Sequence, residues 1–392
     1  MRPARTTRTL RGSCLRSGPL ALLSIVAFLS ILCGRGVAHA DVILLTNRSP
    51  DTVDLTVDTQ EGGEQSFKLY AQDSLPLIAN GPVKLSFDGG QGLLIYELKP
   101  NTIYFFGPVQ SGPRKVDMHE LGLAVESEKV RTNRDAQKPA PGIDLEKTQA
   151  TGTLSVKLMV DEAQKAAPRV WERVLRKRLA EASKVLEQTC RLKLEVVDVG
   201  RWRSDNAADF EAALQEFERE AIPEDIDLII GFSSKYVSRA GRIRLGGTYG
   251  LFKRHILIRE HRPNMTEREK LEVLLHEIGH TLGAVHSPEQ ISIMRPNLAD
   301  DQANKKGFRI AFDPVNAFTM NLISEAWRYE DSRRVRDLRM PTRMALMNAY
   351  TVMNQAMPHD RATIGYIRTI ASTAYRTDRP IRPKLITDLP SP

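Results

Sequence analysis

The pattern of apolar and polar residues divides the chain into segments of different structure. Between residues 41 and 128 apolar side chains recur at every second position, as at Val53, Leu55 and Val57 and again over Val83–Phe87. This period of two is typical of a strand with one buried face. Turn-forming residues separate such runs at Asn80-Gly81 and at Asp88-Gly89-Gly90. The segment is therefore predicted to be a small β domain with a sandwich-like shape.

Residues 129–150 have no apolar period. They are polar and include Pro139, Pro141 and Gly142. Such a composition is typical of a linker between domains.

Residues 151–330 alternate between strand and helix patterns. Helical periodicity extends over residues 167–189 and 206–221, and short apolar runs lie between and after these segments. The run Ile226–Phe232 is continuously apolar, which is typical of a strand that is buried on both faces. The pattern predicts a mixed α/β domain here, and residues 331–392 are predicted to form a helical C-terminal extension.

The first forty residues have the features of a signal peptide. They contain six arginines and no acidic residue, and their apolar run Leu20–Cys33 is short for a membrane span. Small residues at Ala38 and Ala40 predict cleavage after Ala40. We therefore expect a protein that is secreted or periplasmic; an uncleaved N-terminal anchor is the alternative reading.

Composition and charge exclude several classes of protein once this leader is set aside. The formal net charge of the chain is +8, but 50 basic and 48 acidic side chains remain after residue 40. The chain after residue 40 is close to neutral, so it has no evident positive field that would attract nucleic acid. No later segment is long and apolar enough to span a membrane. Cys190 is the one cysteine left, so no internal disulfide can form. The composition does not indicate an oligomeric state.

The chemistry is concentrated in residues 266–286, which read TEREKLEVLLHEIGHTLGAVH. Thr266 and Glu269 have the spacing of a capping box and predict the start of a helix. At 100° per residue, His276 and His280 lie one turn apart on the face opposite the leucines. Gly283 can adopt the left-handed conformation that ends a helix, and the chain then returns with His286.

Three neutral imidazoles in this arrangement make a site for one catalytic Zn²⁺ with a position left open for water. Glu277 lies between the two faces of the helix, where it can take the proton of that water and pass it to a leaving nitrogen. The sequence leaves open whether further Ca²⁺ or structural Zn²⁺ binds.

The pattern His-Glu-x-x-His-x-x-Gly-x-x-His, followed by Ser292-Ile293-Met294, resembles the zinc motif and Met-turn of the metzincin metallopeptidases, with the short spacing of the matrixins. The resemblance implies that residues 151–330 form a twisted, mostly parallel sheet with an active-site helix. It implies that His276, His280 and His286 are the metal ligands and Glu277 the general base. Met294 would form the floor under the metal, and Gly283 would be the turn glycine.

The same resemblance implies a substrate and a place for it. The substrate would be a peptide or protein, bound in extended form along the rim of the cleft. The implied rim residues are Gly247, Thr248, Tyr249 and Gly250.

The sequence also departs from the families it resembles. No cysteine precedes the catalytic segment in the mature chain, so latency through a thiolate is excluded. Pro296 stands where astacins and serralysins have a further tyrosine ligand. The sequence predicts an exported zinc metalloendopeptidase, and the alternative is a surface-binding or adhesion protein with a vestigial zinc-peptidase fold. Residues 41–128 are expected to be an accessory domain, with an inhibitory propeptide as the alternative.

Overall fold

A computed structural model of the chain describes residues 41–59, 63–79, 82–109, 115–121, 129–130, 151–204, 209–222, 225–233, 244–260, 265–329 and 332–374. The predicted leader over residues 1–40 lies outside the described residues. Of the predicted linker over residues 129–150, the structure describes the backbone of residues 129–130 and no more. The boundaries of the domains that the sequence suggests therefore stay predictions.

The N-terminal part is built from two sheets in which most neighbouring strands are antiparallel. In chain order its strands are β1 (Asp41–Asn47), β2 (Val53–Thr59), β3 (Gly63–Leu69), β4 (Ser74–Ala79), β5 (Val83–Asp88), β6 (Leu93–Leu98), β7 (Thr102–Pro108), β8 (Val116–Glu120) and β9 (Lys129–Val130). One sheet has the order β4-β1-β7-β8 and the other β3-β2-β5-β6-β9. The alternating apolar residues fill the space between the two sheets.

Strand β1 is buried on both faces. Ile43 and Leu45 belong to the core between the two sheets. Val42 and Leu44 point the other way and belong to a second core, which also contains side chains of the helices that follow. The four-stranded sheet of the sandwich is thus covered on its outer face as well, since apolar surface on both sides is removed from water.

The rest of the described chain is mixed α/β. Its elements are β10 (Gly152–Asp161), α1 (Pro168–Cys190), β11 (Leu192–Trp202), α2 (Phe210–Glu220), β12 (Leu228–Ser233), β13 (Gly246–Thr248), β14 (His255–Arg259), α3 (Glu267–Thr281), α4 (Pro314–Tyr329), α5 (Met340–Ala356) and α6 (Arg361–Ala374). Helices α1 and α4 pack against the four-stranded sheet of the sandwich.

These strands form one five-stranded sheet with the order β11-β10-β12-β14-β13. The first four strands are parallel, and β13 pairs with β14 in the antiparallel direction at the edge. Strand β12 is buried along its whole length, because α2 covers one face of the sheet and the large core with α1 and α3 covers the other. This agrees with the continuous apolar run that predicts a strand buried on both faces.

Helices α4, α5 and α6 follow the sheet and pack on one another in chain order. Helices α5 and α6 lie within residues 331–392, the segment for which the sequence predicts a helical extension. Among the described residues, no helix combines the length and the apolar character that crossing a bilayer requires.

Candidate metal centre

Helix α3 carries the first two candidate ligands, and its start is fixed as the capping-box spacing predicts. The Thr266 hydroxyl accepts a hydrogen bond from the Glu269 backbone N–H, and the Glu269 carboxylate accepts one from the Thr266 N–H. From Leu271 onward the helix is buried on all sides. His276 and His280 lie one turn apart within this buried stretch, with their Nε2 atoms 3.1 Å apart.

The turn that follows α3 brings the third imidazole back to the first two. Gly283 has φ +91°, a left-handed conformation that a side chain would strain. A Cβ atom there would also lie 3.0 Å from the Tyr350 hydroxyl. One ligand nitrogen from each of His276, His280 and His286 lies within 4.8 Å of the others. The structure therefore brings all three predicted ligands together.

Each imidazole is held through Nδ1. His276 Nδ1 donates to the Ile293 carbonyl oxygen (2.8 Å), and His280 Nδ1 donates to the Ala284 carbonyl oxygen (2.9 Å). His286 Nδ1 donates to Asp360 Oδ1 at 2.7 Å. Because carbonyl and carboxylate oxygens only accept, Nδ1 carries the proton in each ring. The Nε2 lone pairs then face one another across the site.

The electrostatics agree with neutral rings. Burial, reinforced by the neighbouring imidazoles, lowers the pKa of His280 to about 4 and that of His276 well below its ordinary value. Neutral Nε2 atoms 3.1 Å apart cannot hydrogen-bond to each other, since neither carries a proton. A cation between them removes this repulsion, and a set of three imidazole nitrogens suits Zn²⁺. The residues present therefore fit a zinc ion.

Glu277 lies beside the three rings. Burial raises its pKa to about 7, while the positive charge of Arg244 opposes that rise. Strand β13 runs against this side chain, because a Cβ atom at Gly246 would lie 2.8 Å from Glu277 Cγ. The absence of a side chain at Gly246 thus lets the edge strand approach the carboxylate.

The predicted cleft rim is shorter as a strand than the resemblance implies. Gly247 and Thr248 lie in β13 at the edge of the sheet, whereas Tyr249 and Gly250 follow the end of that strand. Gly250 has φ +94°, so the chain leaves the extended conformation there. A Cβ atom at Gly250 would also lie 2.7 Å from the Tyr366 ring, so this residue packs against α6.

Met294 is fully buried against helix α3. A Cβ atom at Gly279 would lie 2.9 Å from Met294 Sδ, so the sulfur packs directly against α3. The Met294 carbonyl accepts from the Ser287 N–H (2.8 Å), and its own N–H donates to the Ser292 hydroxyl (3.0 Å). These bonds tie the methionine to the segment that follows the third imidazole.

The next residue, Arg295, is one that the sequence analysis missed. Its guanidinium is buried and donates to both carboxylate oxygens of Glu272 on α3, at 2.6 and 3.1 Å, and to Asp300 at 2.9 Å. The Arg295–Glu272 pair fastens the segment around Met294 to helix α3. A signal was present, because Glu272 lies beside apolar positions of a buried helix, and a buried charge requires a partner.

Three further residues near the site come from the C-terminal extension. The Tyr350 hydroxyl donates to the Gly283 carbonyl (2.7 Å), and the Tyr366 hydroxyl donates to the His280 carbonyl (2.8 Å). Asp360 accepts from His286; burial would raise the pKa of this carboxyl, but hydrogen bonds from His286 and Thr363 hold it below its ordinary value. No local sequence pattern links these residues to a motif more than sixty positions earlier.

Comparison with known proteins places this centre within a matched segment. Residues 159–320 match the model of the matrixin family. No curated protein sequence matches the chain.

Three solved structures are similar to part of the chain. An archaemetzincin from Methanopyrus kandleri is 14% identical, with a TM-score of 0.34, over 44% of this chain and 95% of that one. An archaemetzincin from Archaeoglobus fulgidus in complex with malonate is 15% identical, with a TM-score of 0.30, over 42% and 99%. A zinc-dependent peptidase from Methanocorpusculum labreanum is 16% identical, with a TM-score of 0.31, over 42% and 100%.

Proposed function

From the premise that residues 159–320 form a segment of the matrixin family, we propose that the chain is a zinc-dependent metalloendopeptidase. The observation that carries the proposal is the convergence of three imidazole nitrogens in the segment that also contains the buried Glu277. Each ring is oriented by a hydrogen bond at Nδ1, so the lone pairs point to one place. Such an arrangement is typical of a catalytic zinc site with an open coordination position.

The ligands are His276, His280 and His286. A zinc ion held by these three residues would supply Lewis acidity, which would polarise a peptide carbonyl and make a water molecule more acidic. Glu277 accepts the proton of that water and gives it to the leaving nitrogen.

Strand β13 is the proposed binding edge for the substrate. An extended peptide can add to an edge strand through backbone hydrogen bonds, and β13 lies next to Glu277. Within the predicted rim, Gly247 and Thr248 are the residues that offer strand geometry. Tyr249 and Gly250 would border the bound peptide instead of pairing with it.

The test compares four forms of the full chain. The unaltered protein is expected to contain about one zinc per chain by elemental analysis and to cleave peptides. Glu277→Gln is expected to retain zinc and to lose at least about 100-fold in turnover, since proton transfer is what it removes. His280→Ala is expected to lose both. Glu181→Gln, at an exposed position of α1, is the matched control and should behave like the unaltered chain.

Some results would contradict the proposal. Peptide cleavage by metal-free protein would exclude zinc chemistry. A zinc-loaded chain that cleaves no member of a broad peptide library would favour a binding protein with a vestigial site.

We propose in addition that the protein is exported. The support is the sequence pattern of residues 1–40, with arginines before an apolar run and small residues at Ala38 and Ala40. The N-terminal sequence of the protein recovered from outside the cytoplasm is expected to begin at Asp41. An N-terminus at Met1 would identify the leader as a retained anchor.

A further inference from the structure

We propose that helices α5 and α6 are part of the zinc centre, and that Asp360 is a positioning residue for the third ligand, His286. The inference rests on the proposed zinc site and goes beyond it, because residues 332–374 lie outside the matched matrixin segment. It assigns a role to the C-terminal extension.

The first observation is the contact between Asp360 and His286. Asp360 is buried, and its Oδ1 accepts from His286 Nδ1 at 2.7 Å. Its other oxygen caps α6 by accepting from the Thr363 N–H (2.8 Å) and the Thr363 hydroxyl (2.6 Å). The start of α6 therefore fixes the direction in which the carboxylate meets the imidazole. A carboxylate on the far nitrogen of a ligand ring fixes its tautomer and raises its basicity toward metal.

The second observation is the difference between His286 and the other two ligands. His276 and His280 lie within a buried helix, and their partners are backbone carbonyls of residues 293 and 284. His286 lies beyond the end of that helix, and its side chain is 29% exposed. A ring on a turn has fewer neighbours to hold it, so its hydrogen-bonding partner has more influence on its orientation.

The third observation is that the extension contacts the end of α3 and the turn after it at two further points. Tyr366 of α6 binds the carbonyl of His280, and Tyr350 of α5 binds the carbonyl of Gly283. Both tyrosines are buried, and their rings contact each other with centroids 5.5 Å apart. Together with Asp360, they hold the turn at residues 280, 283 and 286. The extension thus fixes both the turn and the ring that the turn carries.

The test separates the two oxygens of Asp360. Asp360→Ser keeps a residue that caps helices well but is too short to reach His286. Asp360→Asn keeps the cap and the length, but its carboxylate charge is lost. Thr363→Val is the matched control, because it removes the hydroxyl partner of the capping oxygen but keeps the backbone N–H at the start of α6, which holds that oxygen, and the bond to His286.

Zinc affinity is measured by competition with a chromophoric chelator. Both Asp360 variants are expected to bind zinc about 10–100-fold more weakly than the unaltered chain, and Thr363→Val within about twofold. The visible absorption of the cobalt-substituted protein should change in the Asp360 variants and not in Thr363→Val. Affinity and cobalt spectra that match the unaltered chain in both Asp360 variants would overturn the inference.

A second measurement needs no variant. In the zinc-loaded, unaltered chain, the Nδ1 proton of His286 is expected to be visible by NMR and slow to exchange with water. A fast-exchanging proton there would overturn the inference even if the Asp360 variants failed to fold. Peptide cleavage and zinc binding by the unaltered chain are recorded in parallel. If only the role of Asp360 is wrong, both remain; if the proposed function is wrong, cleavage or zinc binding is absent.

Discussion

The N-terminal sandwich and the C-terminal helix pair both lie next to residues 159–320, which match the matrixin family model, but they contact this segment in different ways. The sandwich presents Val42, Leu44 and Ile103 to the core shared with α1 and α4. The helix pair is hydrogen-bonded to the turn after α3: Tyr350 and Tyr366 donate to its carbonyls, and Asp360 accepts from His286. Apolar burial is non-directional, whereas a hydrogen bond fixes orientation. We therefore expect the sandwich to affect stability and the helix pair to affect the geometry of the metal site.

The largest expected effect is on the free energy of unfolding, and it concerns the apolar contact made by Leu44. Leu44→Ala is expected to lower the free energy of unfolding by about 2–5 kcal/mol, because a fully buried leucine leaves a cavity. The zinc affinity of the folded protein should remain within about twofold of the unaltered value, since no ligand partner has moved. Unfolding is followed in the presence of chelator, so that bound metal does not contribute to the stability.

Leu45→Ala is the matched control, since Leu45 is equally buried but faces the interior of the sandwich. If the sandwich unfolds as a separate unit, Leu45→Ala lowers the stability of the sandwich alone, and zinc affinity does not change. A zinc affinity that falls about tenfold in Leu44→Ala would contradict the comparison, because the sandwich would then influence the ligands.

An intermediate effect is expected at the hydrogen bonds of the helix pair. Tyr366→Phe removes one bond to the His280 carbonyl and should cost about 1 kcal/mol in stability. It should also weaken zinc binding, by less than Asp360→Ser does, because the carbonyl belongs to a ligand residue but does not contact its ring. Tyr70→Phe, on the exposed surface of the sandwich, is the control. Stability lost with zinc affinity unchanged would limit Tyr366 to packing.

The difference between the two regions also explains how far the sequence could predict the structure. Patterns over neighbouring residues predicted well: the helical period of residues 167–189 corresponds to α1, and most of the apolar run Ile226–Phe232 lies in the buried strand β12. The capping box starts the helix that carries two imidazoles on one face, and Gly283 turns the chain so that the third lies beside them. Both are local properties, of one helix and of one turn. The candidate metal centre could therefore largely be predicted from one short segment.

Contacts between distant segments could not be predicted in the same way. The bond between His286 and Asp360 joins residues 74 positions apart, and an aspartate before a helix is read as a cap. The packing of β1 did leave a signal, because Val42–Leu45 is continuously apolar and such a strand is buried on both faces. The sequence could therefore indicate that both faces of β1 are covered, but only the fold shows that helices α1 and α4 cover the outer face.

The smallest expected effect concerns the ion pair between Arg48 of the sandwich and Glu289, which follows the third imidazole by three residues. The atoms are 2.6 Å apart, but the side chains are 41% and 31% exposed. Exposed pairs of this kind contribute about 0.2–1 kcal/mol and are screened by salt. A double-mutant cycle with Arg48→Gln and Glu289→Gln should give a coupling energy in that range, decreasing at high ionic strength. Zinc affinity should not change in any of the variants, because the pair holds neither a ligand ring nor the turn. If Arg48→Gln alone weakens zinc binding about tenfold, the sandwich shares the role assigned to the C-terminal helices, and the distinction between the two regions fails.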